Sequence, residues 1–224
     1  MDGEAAHHLG RVLRAQPGQL YEVSDGQRVR LARIERVSRD RIDFSLLEEI
    51  PAHPPALDIT VLLSIVKFDA FEWAIEKATE LGVNTIVPIA AARSEKALLA
   101  AAVKRAERWN KILAEAAQQS RRVRLPELRP LAQPAPAFAA VNSVAVKIML
   151  SERPDAPALR QVLQAAPATR QAALAIGPEG GWTDAELTAA QAATFREASL
   201  GQQILRTETA VIATLASLNY ALTK

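Results

Sequence analysis

The 224-residue sequence holds no cysteine, which excludes disulfides, thiolate metal ligands and a cysteine nucleophile together. That absence fits a reducing compartment. No basic start followed by an apolar run and a cleavage site marks the chain for export, so the expected location is cytoplasmic. No stretch reaches the roughly 18 apolar residues that a membrane-spanning helix needs, and no membrane partner is expected. Histidine is scarce, at three residues. The adjacent His7 and His8 point to different faces of any helix or strand, so no metal site is expected. Aromatic residues make up 4% of the chain, which limits base stacking to a few side chains such as Trp182 or Phe68, each more often core than platform.

The formal net charge of +2 is too small to argue for a partner, but its distribution is uneven. Residues 93–130 hold ten Lys and Arg against four acids. Such a band can neutralise several phosphates, although an ordinary solvated helix face explains the same count.

Residues 9–50 read as short β segments around 19–23, 28–34 and 41–46, with turns at Pro17-Gly18 and Asp25-Gly26, and suggest a small barrel. Residues 50–55 (Ile-Pro-Ala-His-Pro-Pro) form a stiff connector, because proline fixes its own backbone and biases the residue before it away from helix. The boundary therefore falls there, with domains expected at 1–53 and 57–224. From Leu57 strands alternate with helices, the pattern of an α/β domain with a mostly parallel sheet. Strands are expected at 58–66, 83–89, 144–150 and 172–176. Asp69 is placed to cap a helix ending at Gly82, residues 101–120 read as one amphipathic helix, and 126–136 as an exposed proline-rich connection.

Two constellations carry the chemistry. Ile176-Gly177-Pro178-Glu179-Gly180-Gly181 leaves a strand and enters a helix, with Thr183 and Glu186 spaced as a capping box. Its glycines let the backbone approach a ligand closely. It lacks the Gly-Lys-Ser/Thr ending of a phosphate-cradling P-loop and the Gly-x-Gly-x-x-Gly fingerprint of dinucleotide binders. The second is Leu200-Gly201-Gln202-Gln203-Ile204-Leu205-Arg206-Thr207-Glu208-Thr209, before an apolar helix that Thr207 or Thr209 can cap. Alone, each also reads as an ordinary element, the first as a tight turn and the second as a capped helix.

Together with Lys67-Phe68-Asp69-Ala70-Phe71-Glu72-Trp73 upstream, running on to Gly82-Val83, and Glu115-Ala116-Ala117-Gln118-Gln119-Ser120-Arg121-Arg122 between, these loops resemble the RsmE family. Members of that family are 16S ribosomal RNA uracil N3-methyltransferases of the SPOUT superfamily, and the resemblance spans nearly the whole chain from His8. It implies a PUA-like RNA-binding barrel followed by a SPOUT-type, trefoil-knotted α/β domain, an exception to the rule that chains do not thread loops. It implies S-adenosylmethionine as cofactor, held by Leu150, Ser151 and Glu152, by Ile176, Gly177, Pro178, Glu179, Gly180 and Gly181, and by Leu200, Gly201, Ile204, Leu205 and Arg206. It implies a homodimer through the knot region, with Ile212, Leu215, Leu218 and Tyr220 of the last helix as interface or core. Relative to the family pattern the chain begins late, so the barrel is expected to lack its first strand or the start to lie upstream.

Methylating N3 of uracil requires loss of its proton. Arg206 is the first candidate for stabilising charge on the uracil oxygens, and Glu208 or Glu179 for accepting the proton or fixing Arg206. Arg93, with Ser94, and Arg121, Arg122 and Arg124 are the expected phosphate contacts in 16S ribosomal RNA. Two alternatives stay open: a knotted methyltransferase acting on ribose or another base, and an assembly factor that kept the fold without transfer.

Overall fold

The computed structural model describes residues 1–26, 28–51 and 55–223; residues 52–54 of the proline-rich connector lie outside the described residues. The chain divides into two compact units, residues 1–54 and 55–224.

In the first unit, α1 (Gly3–His7) widens into a π-helical turn over His8–Val12. An antiparallel meander follows: β1 (Leu20–Ser24), β2 (Val29–Val37) and β3 (Ile42–Ile50). Ala6, Leu9 and Ala15 pack with Ile34 and Ile42, so the helical turns cover the sheet. The expected barrel is, among the described residues, a three-stranded sheet. Its second and third strands are longer than their alternation suggests, because register shifts between Arg30 and Ala32 and between Ile34 and Arg36 break the two-residue period. His7 and His8 sit on helical backbone, where His7 Nε2 lies 3.4 Å from Arg11 Nη1.

The second unit runs β4 (Asp58–Ser64), α2 (Phe68–Glu80), β5 (Thr85–Ile89), α3 (Lys96–Ala102), α4 (Ala106–Gln119), β6 (Glu127–Leu128), α5 (Pro134–Ala140), β7 (Val146–Leu150), α6 (Leu159–Gln164), β8 (Gln171–Ile176), α7 (Asp184–Ala192), β9 (Arg196–Ala198) and α8 (Thr207–Leu222). Six parallel strands lie in the order β6-β5-β4-β8-β7-β9. Helices cover both faces, which is why β7 is apolar along almost its whole length and buried throughout. Lys147, the one charged residue in that strand, donates Nζ to Asn142 O at 2.8 Å. The order reverses at β8, which follows β7 in the chain yet lies between β4 and β7. Crevices at such reversals, beyond the carboxyl ends of the strands, are where α/β folds bind ligands.

Several local expectations change. The helix expected over 101–120 is two, α3 and α4, joined by a 3-10 turn at Val103–Arg105. The connection expected over 126–136 carries edge strand β6 and the start of α5, where Pro134 occupies the first turn that tolerates proline. Asp69 lies in the first turn of α2 and does not cap it; Lys67 holds the cap position. Gly82 closes that helix with φ +92°, donating its N–H to Thr79 O. In α8, Leu215 and Leu218 are core, while Tyr220 is 92% exposed.

Candidate active site

Three loops leave the carboxyl ends of β7, β8 and β9, and each is tied to another. After β7, Ser151 N–H donates to Ala198 O at the end of β9. After β8 the chain makes a tight turn in which Gly181, at φ +69°, donates its N–H to Pro178 O at 2.8 Å. Trp182 then folds back, and its indole N–H donates to Leu150 O at 3.1 Å. After β9, Gly201 turns at φ +136° and the chain enters α8 at Thr207, whose hydroxyl donates to Gly177 O at 3.2 Å. Arg206 holds the cap position of α8, so neither Thr207 nor Thr209 caps it.

The expected capping box is present at α7: Thr183 accepts from Glu186 N–H, and Glu186 accepts from Thr183 N–H at 2.8 Å. The other carboxylate oxygen of Glu186 accepts from Ala92 N–H at 2.8 Å, which anchors the segment after β5 beside the β8 loop. Arg93 thereby reaches that loop and donates to Gly180 O at 2.7 Å. Its neighbour Ser94 faces inward, donating to Ile65 O at 2.7 Å.

These loops enclose a cavity of about 760 Å³, within the range of small-molecule sites. Its lining includes residues 150–152, 176–181, 200–201 and 204–206. All the positions assigned to the cofactor therefore meet in one place. Arg93, expected at phosphate, also lines it, as do Arg153, Asp184 and Thr207, which sequence reasoning did not assign. Thr207 carried a signal read as a helix cap; Arg153 and Asp184 carried none. The backbone of residues 201–205 belongs to no helix or strand, and the Ser199 hydroxyl holds its first turn by donating to Gly201 O at 3.0 Å and accepting from Gly201 N–H at 3.2 Å.

The glycines serve packing as much as ligand approach. A Cβ on Gly177 would stand 3.1 Å from Trp182 Nε1, and one on Gly180 would stand 3.2 Å from Arg93 Cβ. Trp182 is 7% exposed and packed edge-on against Phe138, so it is core and no stacking platform. Phe68 is likewise occupied, with the Arg105 guanidinium 4.3 Å over its ring.

Glu208 does not line the large cavity. It borders a neighbouring hollow of about 500 Å³ with Lys67, Asp69, Ala70 and Trp73, and Arg206 borders both. The structure also corrects Arg122. Its guanidinium donates to Thr79 O at 2.8 Å and Val83 O at 2.6 Å, closing the end of α2, and burial holds its pKa below the ordinary arginine value. An inward-turned arginine of this kind serves the fold, not phosphate, whereas Arg121 and Arg124 are exposed. Toward the start of α2, Glu72 accepts from Arg108 at 2.7 Å and from Arg105 at 3.1 Å, and the arginines hold its carboxyl below the usual glutamate value.

Residues 53–219 match the family model described as an RNA methyltransferase domain, and residues 1–47 match the RNA methyltransferase PUA domain. The ribosomal RNA small subunit methyltransferase E of Synechocystis is 35% identical over 95% of this chain and 70% of its own length. The Bacillus subtilis protein of the same name is 31% identical over 97% of this chain and 88% of its own. The crystal structure of the Neisseria gonorrhoeae protein of that name, bound to S-adenosyl methionine, superposes with a TM-score of 0.88 at 30% identity, covering 98% of this chain and 90% of that one. With its loops, sheet order and N-terminal unit in place, the chain belongs to the RNA methyltransferase family of the ribosomal RNA small subunit methyltransferase E (RsmE) type.

Proposed function

We propose that this protein transfers the methyl group of S-adenosylmethionine to N3 of a specific uridine in 16S ribosomal RNA. The observation that carries the reading is the joining of three strand-end loops into one cavity, through Trp182 to Leu150 and Thr207 to Gly177, with Arg206 on its border.

The residues present suit that cofactor. Leu150, Ile176, Leu200 and Leu205 give apolar walls for a nucleoside, the loop backbone offers hydrogen-bonding groups to adenine, and Glu152, Glu179 and Arg153 supply charge for the amino-acid end. When bound, its sulfonium supplies an electrophilic methyl group. The protein must then hold N3 in line and help its proton leave, and orientation alone is worth several kcal/mol in such reactions. Arg206, exposed and bordering both the cavity and the hollow, is placed to stabilise the uracil oxygens as N3 loses its proton. Glu208 in the hollow and Glu179 in the cavity are the acids that can accept the proton or fix Arg206.

In the same reading residues 1–53 form the PUA-like unit that orients RNA, and residues 57–224 perform transfer with a knotted chain end. Arg93, Arg121 and Arg124 contact phosphates, and the enzyme works in the cytoplasm as a homodimer through the knot region. The test is mass mapping of ribosomal RNA from a strain lacking the gene and from the same strain complemented with it. One uracil base methyl should vanish and return. Loss of a ribose methyl instead would reassign the acceptor, and no change would overturn transfer altogether.

A further inference from the structure

Among the described residues, Arg93 is the one lining residue of the large cavity that comes from outside positions 150–210. It follows β5, which β4 separates from β8, and its turn is fixed on both sides. Ala92 N–H donates to Glu186 Oε1 at 2.8 Å, the Ser94 hydroxyl donates to Ile65 O at 2.7 Å, and Ser94 N–H donates to Ala91 O at 3.0 Å. Ala91 and Ser94 are buried, so the exposed side chain of Arg93 leaves a rigid base.

From that base the side chain lies along the β8 loop. A Cβ on Gly180 would stand 3.2 Å from Arg93 Cβ and 3.4 Å from its Cδ, and Arg93 Nη1 donates to Gly180 O at 2.7 Å. A guanidinium carries its N–H donors in a fixed fork, so this bond leaves those on Nε and Nη2 for a second partner. Among the described residues no carboxylate pairs with Arg93, whereas Arg153, another cation of the cavity, has Asp155 at 3.3 Å. One guanidinium can therefore hold the cofactor loop and an anion at the same time.

In the proposed transfer, the anion that reaches this exposed edge is a phosphate of the RNA. Ordering a long arginine and a glycine-rich loop costs conformational freedom. Cofactor in the cavity orders the loop and, through Gly180 O, the arginine. Phosphate on the fork orders the arginine and, through the same bond, the loop. Each ligand then meets a site that the other has already ordered, and the two affinities rise together.

We infer that Arg93 couples the two substrates, so that S-adenosylmethionine and RNA each bind more tightly when the other is in place. This rests on the proposed methyl transfer to RNA. Arg93 binds and positions; it takes no part in proton or methyl movement.

The test measures binding of labelled S-adenosylhomocysteine, the unreactive product, by equilibrium dialysis without and with small ribosomal subunits from a strain lacking the enzyme, at saturation for each variant. Full-length wild type, Arg93→Ala and Arg93→Lys are compared, each shown to be folded by thermal unfolding. Wild type should bind the product about tenfold more tightly with subunits than without, and the product should tighten subunit binding by the same factor. Arg93→Ala should bring both factors to about one. Arg93→Lys should restore subunit binding but only part of the coupling, because an ammonium on a flexible stem lacks the fork that serves two partners together. A wild-type factor of one or less overturns the inference while leaving methyl transfer intact. So does a loss in Arg93→Ala that is equal without and with subunits, because the arginine would then serve only the loop or the carboxylate of the cofactor. A wild type that methylates no subunit RNA overturns both readings together.

Discussion

The hydroxyl of Thr207 donates to the carbonyl of Gly177 at 3.2 Å, joining the first residue of α8 to the first residue after β8 across 30 positions of sequence. Thr207 is 5% exposed, and removing its hydroxyl leaves the half-buried Gly177 carbonyl on the cavity wall without that partner. Thr207→Val keeps the shape and deletes the donor. We expect cofactor affinity to fall by about 1 kcal/mol, read by calorimetry, with thermal stability changed little, and Thr207→Ser to behave as wild type.

Gly177 and Gly180 should respond differently to alanine, although they stand in the same loop. At Gly177 the added methyl meets the Trp182 ring at 3.1 Å, and that ring is held by its bond to Leu150 O and by Phe138. The ring cannot move without breaking both, so Gly177→Ala should cost about 1–3 kcal/mol in denaturant unfolding and weaken cofactor binding as well. At Gly180, an exposed loop position, the methyl meets Arg93 Cβ at 3.2 Å; turning the Arg93 side chain leaves that atom in place, so two exposed loops must give by a few tenths of an ångström. Gly180→Ala should therefore leave stability within about 0.5 kcal/mol of wild type, and its effect should appear in the KM for RNA.

That contrast marks what the sequence could and could not reveal. The parallel strands were legible because burial on both faces leaves mostly apolar runs, such as Val61 to Leu63 within Asp58–Ser64 and Ile148 to Leu150 within Val146–Leu150. The capping box was legible because it is a local spacing, Thr183 to Glu186. The Arg93–Gly180 contact spans 87 positions and has no local signature, so Arg93 read as a surface phosphate contact. Helix α5 was hidden by its prolines, and β9 by its length of three residues. Arg93 stays a proposed phosphate contact, whereas Arg122 was misread. Charge counting weighs every arginine alike, and the structure turns this one inward onto the end of α2.

The arginines at the end of α4 give a test of that division. Arg122→Met should destabilise the protein by about 1–3 kcal/mol, because two carbonyls lose their donor, and should leave the salt dependence of RNA binding unchanged. Arg121→Ala and Arg124→Ala should leave stability nearly untouched and reduce the slope of log affinity against log salt by about one each. Binding titrations at several salt concentrations, alongside denaturant unfolding, separate the two behaviours.

Glu72 sets an acid limit on the packing of α2 against α4. Arg108 hydrogen-bonds its carboxylate at 2.7–2.9 Å and Arg105 adds a contact at 3.1 Å, and these lower its pKa from the ordinary 4.5. A carboxyl whose pKa is depressed in the folded state stabilises the fold above its unfolded value and loses that contribution as pH falls through the folded one. Glu72→Gln should therefore be less stable than wild type at pH 7. The gap should narrow only below about pH 4.5, as the wild-type carboxylate becomes protonated. Parallel unfolding curves from pH 7 downward give the answer, and a gap constant with pH would mean that Glu72 acts through packing alone.

Arg206 lines both the large cavity and the hollow, is exposed, and lies at the entrance of α8, where Thr207 fixes the backbone to the β8 loop. A side chain anchored so closely at its backbone and open at its guanidinium suits charge stabilisation on a substrate better than a role in folding. Arg206→Ala should lower kcat by about a hundredfold, the scale of losing one donor to a developing oxyanion, while cofactor affinity stays within about twofold. Arg206→Lys should recover part of the rate, because a point charge replaces the charge but not the planar pair of donors. Single-turnover methylation with saturating cofactor reads the chemical step directly. A parallel loss of cofactor affinity in calorimetry would make Arg206 a wall of the cavity and leave the charge on the uracil oxygens to another group.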